Sequence, residues 1–309
     1  MWLRDLLLAL TFWTSTPTIV AAEPLPALDC AGQAVQGGLL ICQAPAMSQL
    51  AIANEAGETL RTIPVNQDGI ATIGLKRAEA LSLNISIEGT ETPAIQVALQ
   101  ARDDPFRTIE GLECDKVDAR TPEQIEHAGQ SWVKKQAAFK TFHDGHGATR
   151  GFMQPADGPM SSPFGPARKY IGVGTDGETC EKTSVHRGYD MAVPIGTPIV
   201  APADGTVLLG DPDLYYEGGT VFLDHGDGLV SVFMHMSAVE VEPGQTVERG
   251  ARLGASGNTG RTTGPHLHWA VKWRNPGSGD RSGDFYIDPA LLLALTPMAS
   301  MAPTAPITE

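Results

Sequence analysis

Two short motifs and one isolated histidine carry the residue types of a metal site. H-R-G-Y-D at 186–190 supplies His186 and Asp190, H-L-H at 266–268 supplies His266 and His268, and F-M-H-M at 233–236 supplies His235. Imidazole and carboxylate are donors that zinc accepts readily. Five of the eight histidines fall between 186 and 268, which makes a metal site the first chemistry to weigh.

In a strand, residues i and i+2 share a face. H-L-H runs into Trp269-Ala270-Val271 and reads as a strand, so His266 and His268 should face one cavity. His186 and Asp190, four apart, share a face in either a helix or a strand, and Gly188 with Ala192-Val193-Pro194 argues against the helix. Two facing strands would then present His186, Asp190 and one H-L-H ring to a single ion. Three protein ligands leave a position for water, the arrangement of a catalytic zinc. Bound zinc lowers the pKa of water to roughly 7. The remaining H-L-H ring and His235 are available to move a proton or to steady an oxyanion. The set suffices for metal-assisted peptide hydrolysis.

The surrounding pattern is more specific. Met160-Ser161-Ser162-Pro163-Phe164-Gly165 is followed by H-R-G-Y-D-M-A-V-P-I-G-T-P-I-V-A-P-A-D-G-T-V (186–207), L-D-H-G-D-G (223–228), F-M-H-M, V-E-P-G-Q-T-V-E-R-G (241–250), G-N-T-G-R-T-T-G-P-H-L-H-W (257–269) and Ile287-Asp288-Pro289. Over roughly residues 152–290 the chain resembles the lysostaphin-type (LytM-like, peptidase family M23) zinc metalloendopeptidases. The resemblance implies a small, mostly antiparallel β domain with one zinc ion held by His186, Asp190 and His268. It implies catalytic roles for His235 and His266, one as base and the other at the oxyanion. It also implies a substrate, the peptides of bacterial peptidoglycan. The alternative is a catalytically silent relative that activates another wall hydrolase. Such relatives typically lack a ligand, whereas all five positions are filled here. A Gly-rich protein substrate is a third option; within the wall, a D-alanyl–diaminopimelate cross-link is the bond expected to be cut, with a glycine bridge as the alternative.

Other residues in this stretch have plainer readings. His225, in D-H-G-D-G, reads as a turn residue and is left off the metal. Gly188, Gly196, Gly205 and Gly264 read as backbone requirements. Tyr215 and Tyr216 either line the groove or are surface aromatics. Thr259, Thr262 and Thr263 are candidate substrate contacts.

The elements that must position the site read as mainly β: a small N-terminal β domain, a connecting helix and a C-terminal antiparallel β metallopeptidase domain. With Gly at 34 positions and Pro at 23, turns and short strands are favoured over long helices. Residues 27–100 alternate short apolar runs with turns, as in Leu83-Asn84-Ile85-Ser86-Ile87, and contain no histidine. They could target the wall, prop the second domain, or cover its groove as an inhibitor. Residues 119–150 form a helical connector and linker. Its helix, about 121–143, opens with a Thr121/Gln124 capping box and Pro122, and its apolar stripe of Ile125, Ala128, Trp132, Ala138, Phe139 and Phe142 is expected to pack. His127, His143 and His146 read as linker histidines. The metallopeptidase domain spans 152–295 and a disordered tail 296–309.

Residues 1–22 read as a secretory signal: Arg4, an apolar run from Leu6 to Trp13, then Val20-Ala21-Ala22. The run is short for a membrane span, which needs about 20 residues. The protein is therefore expected to be exported, periplasmic or extracellular, with no stable membrane anchor after cleavage. Cys30, Cys42, Cys114 and Cys180 then form an even set in an oxidising compartment, expected to pair 30–42 and 114–180. A formal charge of −14 argues against nucleic acid and anionic lipid, which need basic patches.

Overall fold

The computed structural model describes residues 28–295, apart from residue 176 and residues 279–282. The expected signal, 1–22, and the expected disordered tail, 296–309, lie outside the described residues. Among the described residues no helix is long and apolar enough to cross a membrane.

The chain is mainly β. The N-terminal region holds β1 (Asp29–Gly32), β2 (Leu39–Gln43), β3 (Gln49–Ala53), β4 (Thr59–Pro64), β5 (Ile70–Gly74), β6 (Ser82–Ile87) and β7 (Ile95–Ala98). They form two antiparallel sheets, ordered β1-β2-β5 and β4-β3-β6-β7. The period-2 pattern read in the sequence is the one that packs: Leu83, Ile85 and Ile87 point inward from β6, against Leu50 and Ile52 of β3.

A strand that the sequence did not announce follows, β8 (Arg107–Glu113), then a single turn, α1 (Cys114–Val117), and the connecting helix α2 (Pro122–Ala138). The capping box forms as expected, with Thr121 Oγ1 accepting from the Gln124 backbone and Gln124 Oε1 from that of Thr121. Two expectations for this helix need correction. It stops at Ala138, short of 143, because the buried Arg274 guanidinium takes the carbonyls of Phe139 and Thr141 and pairs with Asp224 at 2.8 Å. And its apolar stripe packs only toward its C-terminal end: Ala138 and Phe139 are buried, whereas Ile125 and Trp132 are 57% and 59% exposed. The buried face is small, Ser131 and Ala138, which lets the helix lie close to the sheet, with the following Phe139 stacked on Phe222.

The C-terminal region holds β9 (Met160–Ser162), β10 (Ala167–Val173), β11 (Thr179–Val185), β12 (Tyr189–Met191), β13 (Pro198–Val200), β14 (Gly205–Leu214), β15 (Gly218–Gly226), β16 (Leu229–Met236), β17 (Ala238–Val239), β18 (Thr246–Val247), β19 (Arg252–Ala255), β20 (Leu267–Trp273) and β21 (Phe285–Ile287), then the short α3 (Pro289–Leu293). The main antiparallel sheet runs β18-β14-β15-β16-β20-β12-β9, with β21 also on β20. β15 and β16 are buried on both faces: Phe222, Val230 and Val232 meet α2, while Val221, Leu223 and Phe233 face the larger core. β13-β19-β17 and β11-β10-β8 form two smaller sheets. In the latter, β8 runs parallel to β10, and Cys114, the first residue of α1 after it, is bonded to Cys180 of β11; the other disulfide is Cys30–Cys42, so both pairs are the expected ones.

The larger core is continuous from the N-terminal sheets to the C-terminal sheet. Trp273, at the end of β20, reaches across, and its Nε1 donates to the Thr72 carbonyl at 3.2 Å. Gly74 faces the indole so closely that a Cβ there would lie 2.5 Å from the ring.

Candidate metal centre

β12 and β20 set the centre of the site. Asp190 stands directly opposite His268 in that antiparallel pair, and opposite Ser162 of β9 on its other side. His186 lies just after β11. Its backbone is clasped by the Pro163–Pro166 turn: Gly165 N donates to His186 O and His186 N to Pro166 O, both at 2.9 Å. Its ring is fixed as well, because Nδ1 lies 2.7 Å from the Pro163 carbonyl.

His186, Asp190 and His268 converge on one point. His186 Nε2 is 3.0 Å from Asp190 Oδ1 and 3.2 Å from His268 Nδ1, which is itself 2.7 Å from Asp190 Oδ1. The carbonyl of Pro163 can only accept, so His186 carries its proton on Nδ1 when neutral and aims a lone pair from Nε2 at the carboxylate oxygen. Two acceptors face each other at hydrogen-bond distance, and a cation between them resolves that repulsion. The separations are near the ~3.3 Å edge of a tetrahedron with bonds of about 2.0–2.1 Å. The donor chemistry and spacing therefore fit a zinc-sized ion.

Asp190 is ionised. Burial alone would raise its pKa, but the His186 and His268 rings, when protonated on the nitrogen that faces it, outweigh burial and hold the carboxyl well below its usual range. Its second oxygen faces the Arg168 guanidinium at 3.4 Å, and Arg168 is anchored on Ser162 Oγ at 2.6 Å. Arg168 thereby leaves Oδ1 as the oxygen turned toward the two rings. Burial lowers the pKa of His268 despite its hydrogen bond to Asp190.

His235 and His266 flank this centre, their ring centroids 4.8 Å apart, with His235 also 6.1 Å from His268. Each is tied at Nδ1 to a carbonyl, His235 to Thr259 at 2.9 Å and His266 to Gly264 at 2.8 Å. Each therefore keeps a lone pair at Nε2 when neutral; that of His266 lies 3.8 Å from Asp190 Oδ1. Burial, then repulsion by His268 and His266, pushes His235 down to about 3. Its backbone is strained, at φ 64°, where side-chain-bearing residues are uncommon. The His235 N–H to Glu217 O bond, 2.8 Å, holds it there.

The remaining expectations divide. His225 stands off the metal but ends β15, fully buried, with Nδ1 on Asp204 O and Nε2 on Ser231 Oγ. Thr259 supports His235: its Oγ1 donates to Met236 O and accepts from Gly219 N. Thr262 pairs with Asn258. Tyr216 is held by the connector, through Asp118 and Ala119 N, while Arg261 stacks 4.9 Å from its ring. Tyr215 packs edge-on to His127 of α2. Gly188 meets His268 closely, but Gly264 has open space around it among the described residues, so its expected backbone role is not of that kind. Arg168 and the turn carbonyl of Pro163 went unread in the sequence. The only sequence signal for either was the S-S-P-F-G run, which marks the turn but not its bond to the ring.

Residues 184–280 match the family described as peptidase family M23. Peptidoglycan DD-endopeptidase ShyA of Vibrio cholerae is 39% identical over 112 residues, 36% of this chain and 24% of the relative. A Haemophilus influenzae protein described as an uncharacterized metalloprotease is 38% identical over 154 residues, 47% of this chain and 30% of the relative. The chain thus aligns with less than a third of the length of either curated relative. Among solved structures, a candidate M23 peptidase from Pseudomonas aeruginosa superposes with a TM-score of 0.54 at 28% identity, over 84% of this chain and 95% of that one. That likeness extends beyond the matched segment into the N-terminal half.

Proposed function

With a C-terminal domain that is a LytM-like member of peptidase family M23, we propose that this protein is an exported zinc-dependent endopeptidase that hydrolyses peptide bonds in peptidoglycan stem peptides or cross-links. One observation carries the reading: Asp190 Oδ1, His186 Nε2 and His268 Nδ1 lie within 3.2 Å of one another, with two further imidazoles beside them. The named activity of the Vibrio relative supports the substrate class. Two disulfides fit an oxidising compartment, where peptidoglycan is found.

His186, Asp190 and His268 would hold the ion. Zinc, when bound, supplies Lewis acidity toward water and a peptide carbonyl, bringing the pKa of the water to roughly 7. The other two rings handle protons at Nε2. Tied at Nδ1, a neutral His235 or His266 can only accept there, so either can take the proton lost by the attacking water. Only a ring that has gained a proton can donate to the oxyanion or return the proton to the leaving amine. A single proton is in play, so the ring that takes it is the one that can donate it again, while the other, if neutral, can only accept at Nε2. Filled ligand and imidazole positions speak against the silent-regulator alternative.

The test is mass spectrometry of muropeptides released from purified sacculi by the full-length protein. Cleaved D-alanyl–diaminopimelate cross-links are expected, lost on chelation and regained with zinc. No cleavage by the zinc-loaded protein, with stimulation of a separate wall hydrolase, would establish the regulator instead.

A further inference from the structure

His186 depends on the Pro163–Pro166 turn for its ring tautomer and its backbone. That turn is itself held from the N-terminal half of the molecule. Arg77, in the loop between β5 and β6, donates Nε to the Gly165 carbonyl at 2.7 Å. Arg102, just past β7, donates Nη2 to the Phe164 carbonyl at 2.8 Å and lies over the Phe164 ring, 5.1 Å from its centroid. Two consecutive carbonyls of the turn are thus gripped by two guanidinium groups.

Both arginines are locked in turn. Asp104 sits between them, 2.9 Å from Arg77 Nε and 3.1 Å from Arg102 Nη2. Arg102 Nη1 reaches Asp288, the N-cap of α3, at 2.8 Å. Gly165 has φ +111°, and a Cβ there would lie 2.2 Å from Asp104, so the turn and the bridge fit only with glycine at this position. The Arg102, Asp104 and Asp288 side chains are between 8% and 13% exposed, where charged hydrogen bonds are strong and rigid.

We propose that Arg77 and Arg102 are positioning residues for the zinc ligand His186, acting through the Pro163–Pro166 turn. The N-terminal half is then part of the metal site's support. Metal ligands depend on such outer supports, whose loss typically costs about 10–100-fold in affinity or activity. The inference rests on the zinc site proposed above.

The experiment uses the full-length chain and two readouts independent of turnover: zinc affinity by competition with a chromophoric chelator, and the visible spectrum of the cobalt(II)-loaded protein, which reports ligand geometry. Arg77→Met and Arg102→Met should each weaken zinc binding about 10-fold and alter the cobalt bands. Arg77→Lys, which restores a donor and the charge beside Asp104, should recover part of the loss. Ile52→Ala is the control: Ile52 is fully buried in β3 of the N-terminal sheets and lies in neither the β5–β6 loop nor the turn. It should lower the melting temperature and leave zinc affinity unchanged. If Arg102→Met does not fold, the half-exposed Arg77 decides alone. Wild-type affinity and spectrum in Arg77→Met, or an equal loss of affinity in Ile52→Ala, overturns the inference. A wild-type protein that binds no zinc overturns the proposed function itself.

Discussion

Gly188 lies where one methyl group would collide with a proposed ligand. A Cβ built there falls 2.4 Å from His268 Nε2, 2.6 Å from its Cε1 and 2.8 Å from the Trp269 carbonyl oxygen. Non-bonded heavy atoms rest near ~3.5 Å, so the ring must retreat by about 1 Å. It has little room to do so, because β20 is paired at His268 with Asp190 on one side and Met234 on the other. Gly188 is also outside the left-handed region, so alanine carries no backbone penalty and the effect reports space alone.

Gly188→Ala should therefore displace Nδ1 from the point it shares with Asp190 and His186. Overpacking of this kind costs about 1–3 kcal/mol of stability, which a folded variant can survive. Misplacement of a reacting group by about 1 Å costs on the order of 10²-fold in rate. The measurements are zinc affinity by chelator competition, turnover of a defined cross-linked muropeptide, and the melting temperature without metal. Gly129→Ala, on α2 with open space around it among the described residues, should bind zinc and turn over like wild type. If Gly188→Ala binds zinc and turns over like wild type, the ring's position is not what makes the site.

Three further outcomes follow from the same geometry. His186→Ala or His268→Ala should lose metal and activity together, while His235→Ala or His266→Ala should keep the metal, by elemental analysis, and lose about 10²–10⁴-fold in turnover; near-wild-type rates in either of the latter would remove that ring from the chemistry. Burial depresses the pKa of His225 and His268 and pushes His235 down to about 3. Folded metal-free protein therefore resists protonation that the unfolded chain accepts below about 6.5, and its melting temperature should fall from about pH 7 to about pH 5; a flat or rising profile contradicts this. Trp273→Ala should cost about 3–5 kcal/mol in denaturant unfolding, since the indole is fully buried and bonded to Thr72; a loss under 1 kcal/mol would show that the two halves do not share this core.

What the sequence disclosed and what it hid differ for a physical reason. Metal chemistry admits few residue types, and strand periodicity aligns His266 with His268, so the H-R-G-Y-D, F-M-H-M and H-L-H motifs stood out against their surroundings. The capping box at Thr121 was legible because its partners are three residues apart. Arg168, Arg77 and Arg102 were not, because arginine is an ordinary surface residue and the contacts that tie them to Asp190, Gly165 and Asp288 span 22 to 186 positions. β8 escaped for a related reason: its partner, β10, is distant, and its residues are mostly exposed, so burial leaves no alternation. The stripe of α2 misled at Ile125 and Trp132 because apolar spacing marks a face without saying whether anything covers it.

The same long-range contacts bear on the N-terminal half, for which targeting, propping and inhibition were all open. An inhibitory cap must come away from the groove without undoing the domain beneath it. Here Leu39, Ile73 and Leu75 belong to one buried cluster with Trp269, Val271 and Trp273, and β20, which carries the last three, also carries His268. Separating the halves would expose those side chains to water beside a zinc ligand and free the turn that orients His186. Both effects act against metal binding, so the contacts support a prop, and release of this half would cost the site the rigidity on which its chemistry depends.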